Sequence, residues 1–350
     1  MNDAADICQI LLTSLMMLLT IFGNAVICLV IYRVRRLHCP TGFLLANLAV
    51  TDILIALLLL PFRIPGIIYH RWVFGRPGCV VIGFLQNTLC TASVLTLLSI
   101  TVDRYLAILW SLQYNGSVTG TKTAICIALL WVYSTISSCF PFFGWGKYSF
   151  LPGLWLCETD HIVLPSFTYF RLATVYFLPL FAILFLYSRI IKVAWRHSRQ
   201  IRLEVQAVNL REASVVTPVD HDTAVGKVSA AAVSGPVCLR KPHSAMKSEI
   251  KTALTLAVVV GVLFLFWTPL VFLNLLSFFR GAQVSVVATE VTSYLYYANG
   301  LVNPYVYGYL NRLIKHEVIK FYDRLSDWIA RLKKKRTRIQ PAIIVVSATE

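Results

Sequence analysis

The chain has 350 residues, of which 57% are hydrophobic and only 14% are charged, and its mean hydropathy is +0.70. A soluble domain carries roughly a quarter of charged residues, so this composition excludes an ordinary water-soluble domain. The net charge of +16 is large enough for a protein that binds nucleic acid, but the distribution of basic residues along the chain indicates a membrane protein instead.

The apolar residues form long continuous runs and not periodic stripes. A helix that crosses the hydrocarbon core needs about 20 such residues, and the runs lack the alternation of period two that is typical of barrel strands. The sequence therefore predicts an all-α membrane protein with a bundle of seven transmembrane helices. The predicted spans are residues 7–34, 41–68, 76–109, 120–143, 166–196, 247–278 and 286–309.

Lysine and arginine indicate the orientation of the bundle. Of the 32 basic residues, 26 lie in the segments 33–40, 104–122, 189–251 and 312–338, which share one side of the predicted topology. Positive charge collects on the cytoplasmic flank of membrane proteins. We therefore expect an extracellular N-terminus and a cytoplasmic C-terminus at the plasma membrane, and no nucleic-acid partner.

Three parts of the chain are distinguished by composition. Residues 1–6 are a short extracellular N-terminus, residues 7–309 are the membrane domain, and residues 310–350 combine an amphipathic eighth helix on the inner membrane surface with a basic tail. The polar stretch 197–246 shows no apolar period and is predicted to be a mobile cytoplasmic loop. The basic run 331–338 is either solvated or in contact with anionic membrane lipids.

Two of the nine cysteines, Cys79 and Cys157, lie on the predicted outer side. That side is oxidising, so a disulfide between them can persist. Two unpaired outer thiols are the alternative.

Short motifs occur in a fixed order along the spans. The motifs are Gly23-Asn24-x-Val26, NLAVTD ending at Asp52, Trp72-x-Phe74-Gly75, Asp103-Arg104-Tyr105, Trp131, Pro179 with Tyr187, Phe266-Trp267-Thr268-Pro269, and Asn303-Pro304-x-x-Tyr307. With these motifs and its seven spans, the chain resembles the rhodopsin-like (class A) G-protein-coupled receptors, in their amine-like and orphan branch, over about residues 10–325.

The resemblance implies an inner lock around Arg104, which pairs at rest with Asp103 and with Glu249 on span six. A buried cation without a partner is costly, so such a pairing can hold the inner face closed. Outward movement of span six then admits a heterotrimeric G protein, and arrestin and a receptor kinase are further partners that the resemblance implies. The alternative for Glu249 is a solvated residue at a helix end. The other residues that the resemblance assigns to this inner site are Tyr105, Leu112, Tyr187 and Tyr307.

A second polar group surrounds Asp52, a carboxylate within an otherwise apolar run. Ionisable groups at membrane depth are expensive and persist where they have partners or a function. The resemblance implies an allosteric sodium ion here, held by Asp52 and Ser93, and no other cofactor. A water-filled polar network is the alternative. The residues that the resemblance places around Asp52 are Asn24, Ser93, Trp267, Asn299 and Asn303.

The ligand is less well defined. Amine receptors need a carboxylate on span three, where this chain has Gln86 with Asn87 beside it, and covalent binding of retinal needs a lysine that residues 286–309 lack. The ligand is expected to be a small molecule, with an anion as one option, and constitutive activity without an agonist is the alternative. The candidate ligand-pocket residues are Arg63, Gln86, Asn87, Arg171, Asn274, Glu290, Tyr294 and Tyr297.

The two arginines of this set, Arg63 and Arg171, suit a carboxylate or a phosphate. They could equally pair with Glu158, Asp160 or Glu290, or extend towards lipid headgroups.

Other classes of protein lack the residues they need. The seven histidines show no metal-ligand spacing, and neither a G-x-S-x-G motif nor a phosphate-binding P-loop is present, so no enzyme is expected. A seven-helix scaffold or pseudo-receptor that does not couple remains an alternative. A transporter is a further alternative, because a buried Asp52 and proline-broken helices would also suit an ion path.

Overall fold

The computed structural model describes residues 3–215, 241–280, 285–310, 314–320, 323–324, 326–327 and 330–331. In the described part of the chain, two short antiparallel strands, β1 (Tyr148–Leu151) and β2 (Leu156–Thr159), lie among the helices. The α-helices are α1 (Asp3–Arg33), α2 (Pro40–Leu58), α3 (Leu60–Tyr69), α4 (Gly75–Leu109), α5 (Ser111–Ser117), α6 (Gly120–Cys139), α7 (Pro165–Arg171), α8 (Leu178–Val215), α9 (Lys241–Arg280) and α10 (Val286–Leu310).

Six helical segments of the described chain are long and apolar enough to cross a membrane, and α10 is the seventh, more polar span. It packs against α9, α1 and α2, and Ser293, Asn299 and Asn303 on it are buried. Its polar residues therefore lie inside the bundle, where lipid does not reach them. The predicted fold of seven membrane-spanning helices is confirmed.

Several spans are irregular near prolines. Span two consists of two helices that meet at Leu59, because Pro61 in the first turn of α3 has no N–H to donate to a continuous helix. A π-helical turn, Leu172–Phe177, precedes Pro179 in span five. Pro141 lies in a 3-10 turn after α6 has ended, whereas Pro269 and Pro304 lie inside α9 and α10.

The helices on either side of the third inner loop are longer than the sequence predicts. Residues 197–215 continue α8 and residues 241–246 begin α9, so both ends of the predicted loop 197–246 are helical. Arginine, leucine, glutamate and glutamine in "IRLEVQAVNL" favour helix even outside an apolar environment. Residues 216–240 of that loop lie outside the described chain.

Helix α4 is the centre of the bundle. In its most apolar stretch 72% of residues are buried, against 22% for α6 and 18% for α9. It packs against α2, α6, α8 and α9, and the apolar core includes Val94, Leu97 and Ile100 on it. Displacing α4 would therefore disturb most of the core, while α6 and α9 have far more surface towards lipid.

The β1–β2 hairpin covers the outer end of the bundle. The predicted disulfide is confirmed, because Cys157 on β2 is bonded to Cys79 at the start of α4. At the hairpin tip, Gly153 has φ +86°, and a Cβ there would lie 2.5 Å from the carbonyl oxygen of Val286. The tip thus contacts the backbone of α10 directly, and glycine is the residue that permits this approach.

Beyond α10, residues 314–320 are also helical. Ile314 is fully buried and Val318, one turn later, packs against the same core, while Lys315 and His316 are exposed. This spacing is amphipathic, as the sequence predicts for the eighth helix. The basic run 331–338 lies outside the described residues from position 332 onwards.

Candidate functional site

The Asp103 carboxylate is the centre of a buried polar cluster at the inner end of α4. Its Oδ2 accepts hydrogen bonds from Arg104 Nη2 at 2.8 Å and Nε at 3.2 Å and from Thr41 Oγ1 at 2.5 Å. Its Oδ1 accepts one from Tyr114 Oη at 2.5 Å, and Arg104 Nη2 also donates to Thr41 Oγ1. Asp103 is 5% and Arg104 7% exposed. Such a buried pair is stable only when further hydrogen bonds compensate for lost hydration, and Thr41 and Tyr114 supply them.

This inner cluster connects three elements, because Thr41 belongs to α2 and Tyr114 to α5. Burial and the bond to Asp103 raise the pKa of the Tyr114 hydroxyl, so it stays a donor at neutral pH. Sequence reasoning missed both residues, since a threonine in a first helical turn and a tyrosine in an inner loop carry no motif.

The remaining predicted inner residues are placed only in part. Tyr187 is buried in the apolar core and Tyr105 packs against it. The side chains of Leu112, Glu249 and Tyr307 lie outside the described residues. The pairing of Arg104 with Glu249 therefore stays a prediction.

The second predicted group surrounds Asp52 at mid-depth. Asp52 is 1% exposed, and its Oδ2 accepts a hydrogen bond from Asn303 Nδ2 at 2.9 Å. Asn24 Nδ2 donates to the carbonyl oxygens of Thr20 and Gly300, each at 2.9 Å, and so ties α1 to α10. A Cβ on Gly300 would lie 3.3 Å from the Asp52 carboxyl, so this glycine lets α10 approach closely.

A cavity of about 380 Å³ adjoins this group. Asp52, Ser93, Trp267 and Asn299 line it, and Asn299 Oδ1 is buried without a hydrogen-bond partner among the described residues. A carboxylate, a hydroxyl and an amide oxygen around one cavity are the donors that hard cations prefer.

A second, larger cavity lies under the hairpin, with about 620 Å³ of empty space that includes its open mouth. Most of its wall is apolar, and its polar side chains include those of Glu158, His161, Arg171 and Asn274. Trp267 and Tyr296 line both cavities, with ring centroids 5.0 Å apart. The two rings form the partition between the outer cavity and the Asp52 group.

Of the predicted ligand-pocket residues, Arg171 and Asn274 line the outer cavity. Asn87 does not: its Nδ2 donates to Tyr148 Oη at 3.1 Å and to Thr159 Oγ1 at 2.7 Å, so it is a structural link between α4 and the hairpin. Gln86 is similarly engaged with neighbouring tyrosines, donating to Tyr296 Oη at 3.2 Å.

The other predicted pocket residues form a separate group between α3 and α10. Arg63 is fully buried, and its guanidinium lies 4.3 Å from the Tyr294 ring centroid and 5.4 Å from that of Tyr297. These distances are typical of cation–π contacts. Tyr297 also donates to Gln86 Oε1 at 3.5 Å. Glu290 is not among the residues that line the outer cavity.

The fold of the hairpin explains why Glu158 reaches the cavity, which sequence reasoning did not predict. Side chains on a strand alternate between its two faces. Cys157 is bonded to Cys79 and Thr159 accepts from Asn87, so both point towards α4. Glu158 between them points the other way, into the cavity.

Burial shifts the pKa values of two titratable groups that line the cavity. Burial raises the pKa of the Glu158 carboxyl, and the Arg171 guanidinium opposes this rise. Burial and the nearby Arg171 lower the pKa of His161 to about 4, so this imidazole is neutral at pH 7. Arg171 Nη1 donates to Thr91 Oγ1 at 3.4 Å. The outer cavity thus contains one fixed cation and one carboxyl group on an apolar wall.

A seven-helix bundle with an outer cavity, a buried carboxylate at mid-depth and an Asp–Arg pair at its inner end is the architecture of a membrane receptor. The family model described as "7 transmembrane receptor (rhodopsin family)" matches residues 23–307. The chain belongs to this family.

Relatives in this family include adrenergic and serotonin receptors. The chain is 31% identical over 304 residues to an alpha-1A adrenergic receptor of Oryzias latipes, covering 84% of this chain and 62% of the relative. It is 32% identical over 311 residues to an alpha-1D adrenergic receptor of Homo sapiens, covering 87% of this chain and 54% of the relative. For a 5-hydroxytryptamine receptor 1B of Equus caballus the identity is 29% over 340 residues, covering 89% of this chain and 86% of the relative.

The chain therefore spans less than two thirds of the length of these adrenergic relatives. Squid rhodopsin has a similar fold, with a TM-score of 0.75 at 20% identity over 93% of this chain and 87% of the other.

Proposed function

We propose that this chain is a receptor of the plasma membrane that activates heterotrimeric G proteins when span six moves outward. The observation that carries the proposal is the partition formed by Trp267 and Tyr296. A molecule in the outer cavity touches the same rings that border the Asp52 cavity, so a change of ring position reaches the polar interior of the bundle.

The moving part is α9. Pro269 interrupts its hydrogen bonding two residues after Trp267. A tilt at this point displaces the inner half of α9 away from Arg104. This displacement of α9 opens a cleft beside the Asp103–Arg104 pair, into which a G protein can insert a helix.

The orientation proposed is N-terminus outside. The described parts of the basic segments lie at the opposite end of the bundle from the hairpin, and the Cys79–Cys157 disulfide belongs on an oxidising side. Receptor kinase, arrestin and anionic lipids are proposed partners of the cytoplasmic surface.

The ligand proposed is a small molecule in the outer cavity. The adrenergic and serotonin receptors among the relatives are named for amine ligands. Gln86, at the position where amine receptors are expected to carry a carboxylate, is 2% exposed and bonded to Tyr296. A simple amine therefore lacks its partner on α4 here, which favours a ligand of different charge.

Sodium is proposed as an allosteric ion at Asp52. The side-chain oxygens of Asp52, Ser93 and Asn299 fit a hard cation, and they would hold it beneath the Trp267–Tyr296 partition. A bound cation there would neutralise the buried carboxylate and favour the resting arrangement.

The experiment that tests coupling is basal and ligand-stimulated nucleotide exchange on a panel of purified G proteins, comparing the chain with Arg104→Ala. Loss of exchange in the variant is expected, because the variant lacks the cation that a G protein must reach. Arg36→Ala removes an exposed inner arginine and serves as the control, which retains exchange. Equal exchange by the chain and by Arg104→Ala would contradict the proposal, and silence from every G protein would favour a non-coupling scaffold.

A further inference from the structure

The outer cavity contains an acidic and a basic side chain that do not pair with each other. Glu158 and Arg171 both line it, yet among the described residues no ion pair joins them, and Arg171 Nη1 donates a long hydrogen bond of 3.4 Å to Thr91 Oγ1. A desolvated carboxylate and a desolvated guanidinium are each costly unless a partner compensates for lost hydration.

From this geometry we infer that the ligand of the outer cavity is a small zwitterion of the α-amino-acid type with an apolar or aromatic body. Its ammonium group binds the Glu158 carboxylate and its carboxylate binds the Arg171 guanidinium. The inference rests on the proposed function, because it assigns a ligand class to the cavity that the receptor would use.

The two charges are held by independent anchors. Glu158 lies on β2 between Cys157 and Thr159, which the disulfide to Cys79 and the bond to Asn87 fix against α4. Arg171 ends α7 and is followed by the π-helical turn. Because neither charge depends on the other for its position, a ligand can insert between them without first breaking an ion pair.

Ligands with one charge fit this cavity less well. A simple amine that reaches Glu158 also faces the positive field of Arg171, and a simple carboxylate at Arg171 faces the negative field of Glu158. Like charges repel strongly where water is excluded. His161 adds no charge at pH 7, since its pKa lies at about 4.

The remaining wall selects the body of the ligand. Val175, Leu270 and Val271 line the cavity together with the rings of Trp267 and Tyr296. Aromatic side chains bury large areas and stack in offset or edge-to-face arrangements. An aromatic amino acid would thus place its charged end between Glu158 and Arg171 and its ring on the Trp267–Tyr296 partition.

The test measures binding to the purified full chain in lipid nanodiscs, by the rise of its thermal unfolding midpoint with probe concentration. The probes are L-tryptophan, tryptamine, which lacks the carboxylate, and N-acetyl-L-tryptophan, which lacks the ammonium charge. Hydrogen bonds to charged groups justify an expectation that L-tryptophan binds about tenfold or more tightly than either derivative.

Two variants test which side chain binds which charged group of the ligand. In Glu158→Gln the advantage of L-tryptophan over N-acetyl-L-tryptophan should fall to about one, while its advantage over tryptamine persists. In Arg171→Gln the reverse is expected. The matched controls Asp6→Asn and Arg71→Gln remove outer charges that do not line the cavity and should keep the preferences of the unaltered chain.

Equal affinity for the three probes, or no saturable binding of L-tryptophan, would overturn the inference. The probe comparison on the unaltered chain decides this even where a variant does not fold. Binding with the expected preferences but without nucleotide exchange would leave the inference standing and contradict the coupling proposal. Nucleotide exchange driven equally by all three probes would support coupling and overturn the inference about the ligand class.

Discussion

Removing the Tyr114 hydroxyl by Tyr114→Phe should loosen the inner cluster without changing its charge. This hydroxyl donates to Asp103 Oδ1 at 2.5 Å from outside the membrane span. It is the one described side chain that bonds this oxygen, because Arg104 and Thr41 bond Oδ2. The ring of phenylalanine preserves the packing, so the change isolates a single hydrogen bond.

The magnitude follows from the charge of the acceptor. A hydrogen bond to a buried carboxylate contributes about 1–2 kcal/mol after allowance for the partly exposed donor. We propose in addition that this bond forms only in the resting arrangement, because a G protein that engages Arg104 displaces α5 from Asp103. Its loss then shifts the equilibrium towards the active arrangement by a factor of roughly 5–30.

The assay is basal nucleotide exchange on the G protein that the chain couples to, in cells or nanodiscs with equal receptor density. Tyr114→Phe should exceed the unaltered chain by several-fold. Tyr32→Phe, which alters a tyrosine that is 79% exposed, should match it. Unchanged or lower exchange in Tyr114→Phe at equal density would refute the role of this bond in holding the resting arrangement.

Three further predictions concern other parts of the bundle. Asp52→Asn should abolish any rise of the unfolding midpoint with sodium, measured against potassium at equal ionic strength; a retained sodium response would argue against the ion site. Glu249→Ala should raise basal exchange at equal surface density if the pairing with Arg104 forms, and lower exchange would count against that pairing. Gly153→Ala should lower the unfolding midpoint more than Gly144→Ala: both glycines have positive φ, but only at Gly153 would a Cβ meet backbone within 4 Å. Equal losses would mean that backbone strain, not contact with α10, sets the effect.

Hydropathy and charge predicted the bundle because the membrane imposes both. A helix must be apolar for about 20 residues to cross the core, and this signal is local in sequence. The signal weakened for α10, whose buried residues Asn299 and Asn303 face other helices. Helix ends outside the membrane were not predictable from hydropathy. The extension of α8 to Val215, beyond the predicted end at 196, was therefore missed.

The outer cavity was harder to predict because side-chain direction depends on the path of a loop. Asn87 follows Gln86 on α4 and looked equally available, yet the helix turns it towards the hairpin and away from the cavity. Glu158 was recognised only as a partner for an arginine. Its direction depends on the register that pairs Cys157 with Phe150, and no local pattern of "LCET" encodes that register.

The distribution of rigidity along the bundle decides which helix can transmit a signal. Cys90, Ser93 and Arg104 are separated by three and eleven residues, about one and three helical turns, and so lie on one stripe of α4. This helix therefore passes the outer cavity, the Asp52 cavity and the inner cluster in turn. Yet α4 has its only proline, Pro77, in the first turn and is the most buried of the six apolar spans described, so bending it would disrupt the core. By contrast, α9 carries Pro269 in its interior and far less buried surface. The ligand cavity and the inner cluster therefore share α4 as a fixed reference, and the movement that connects them belongs to α9.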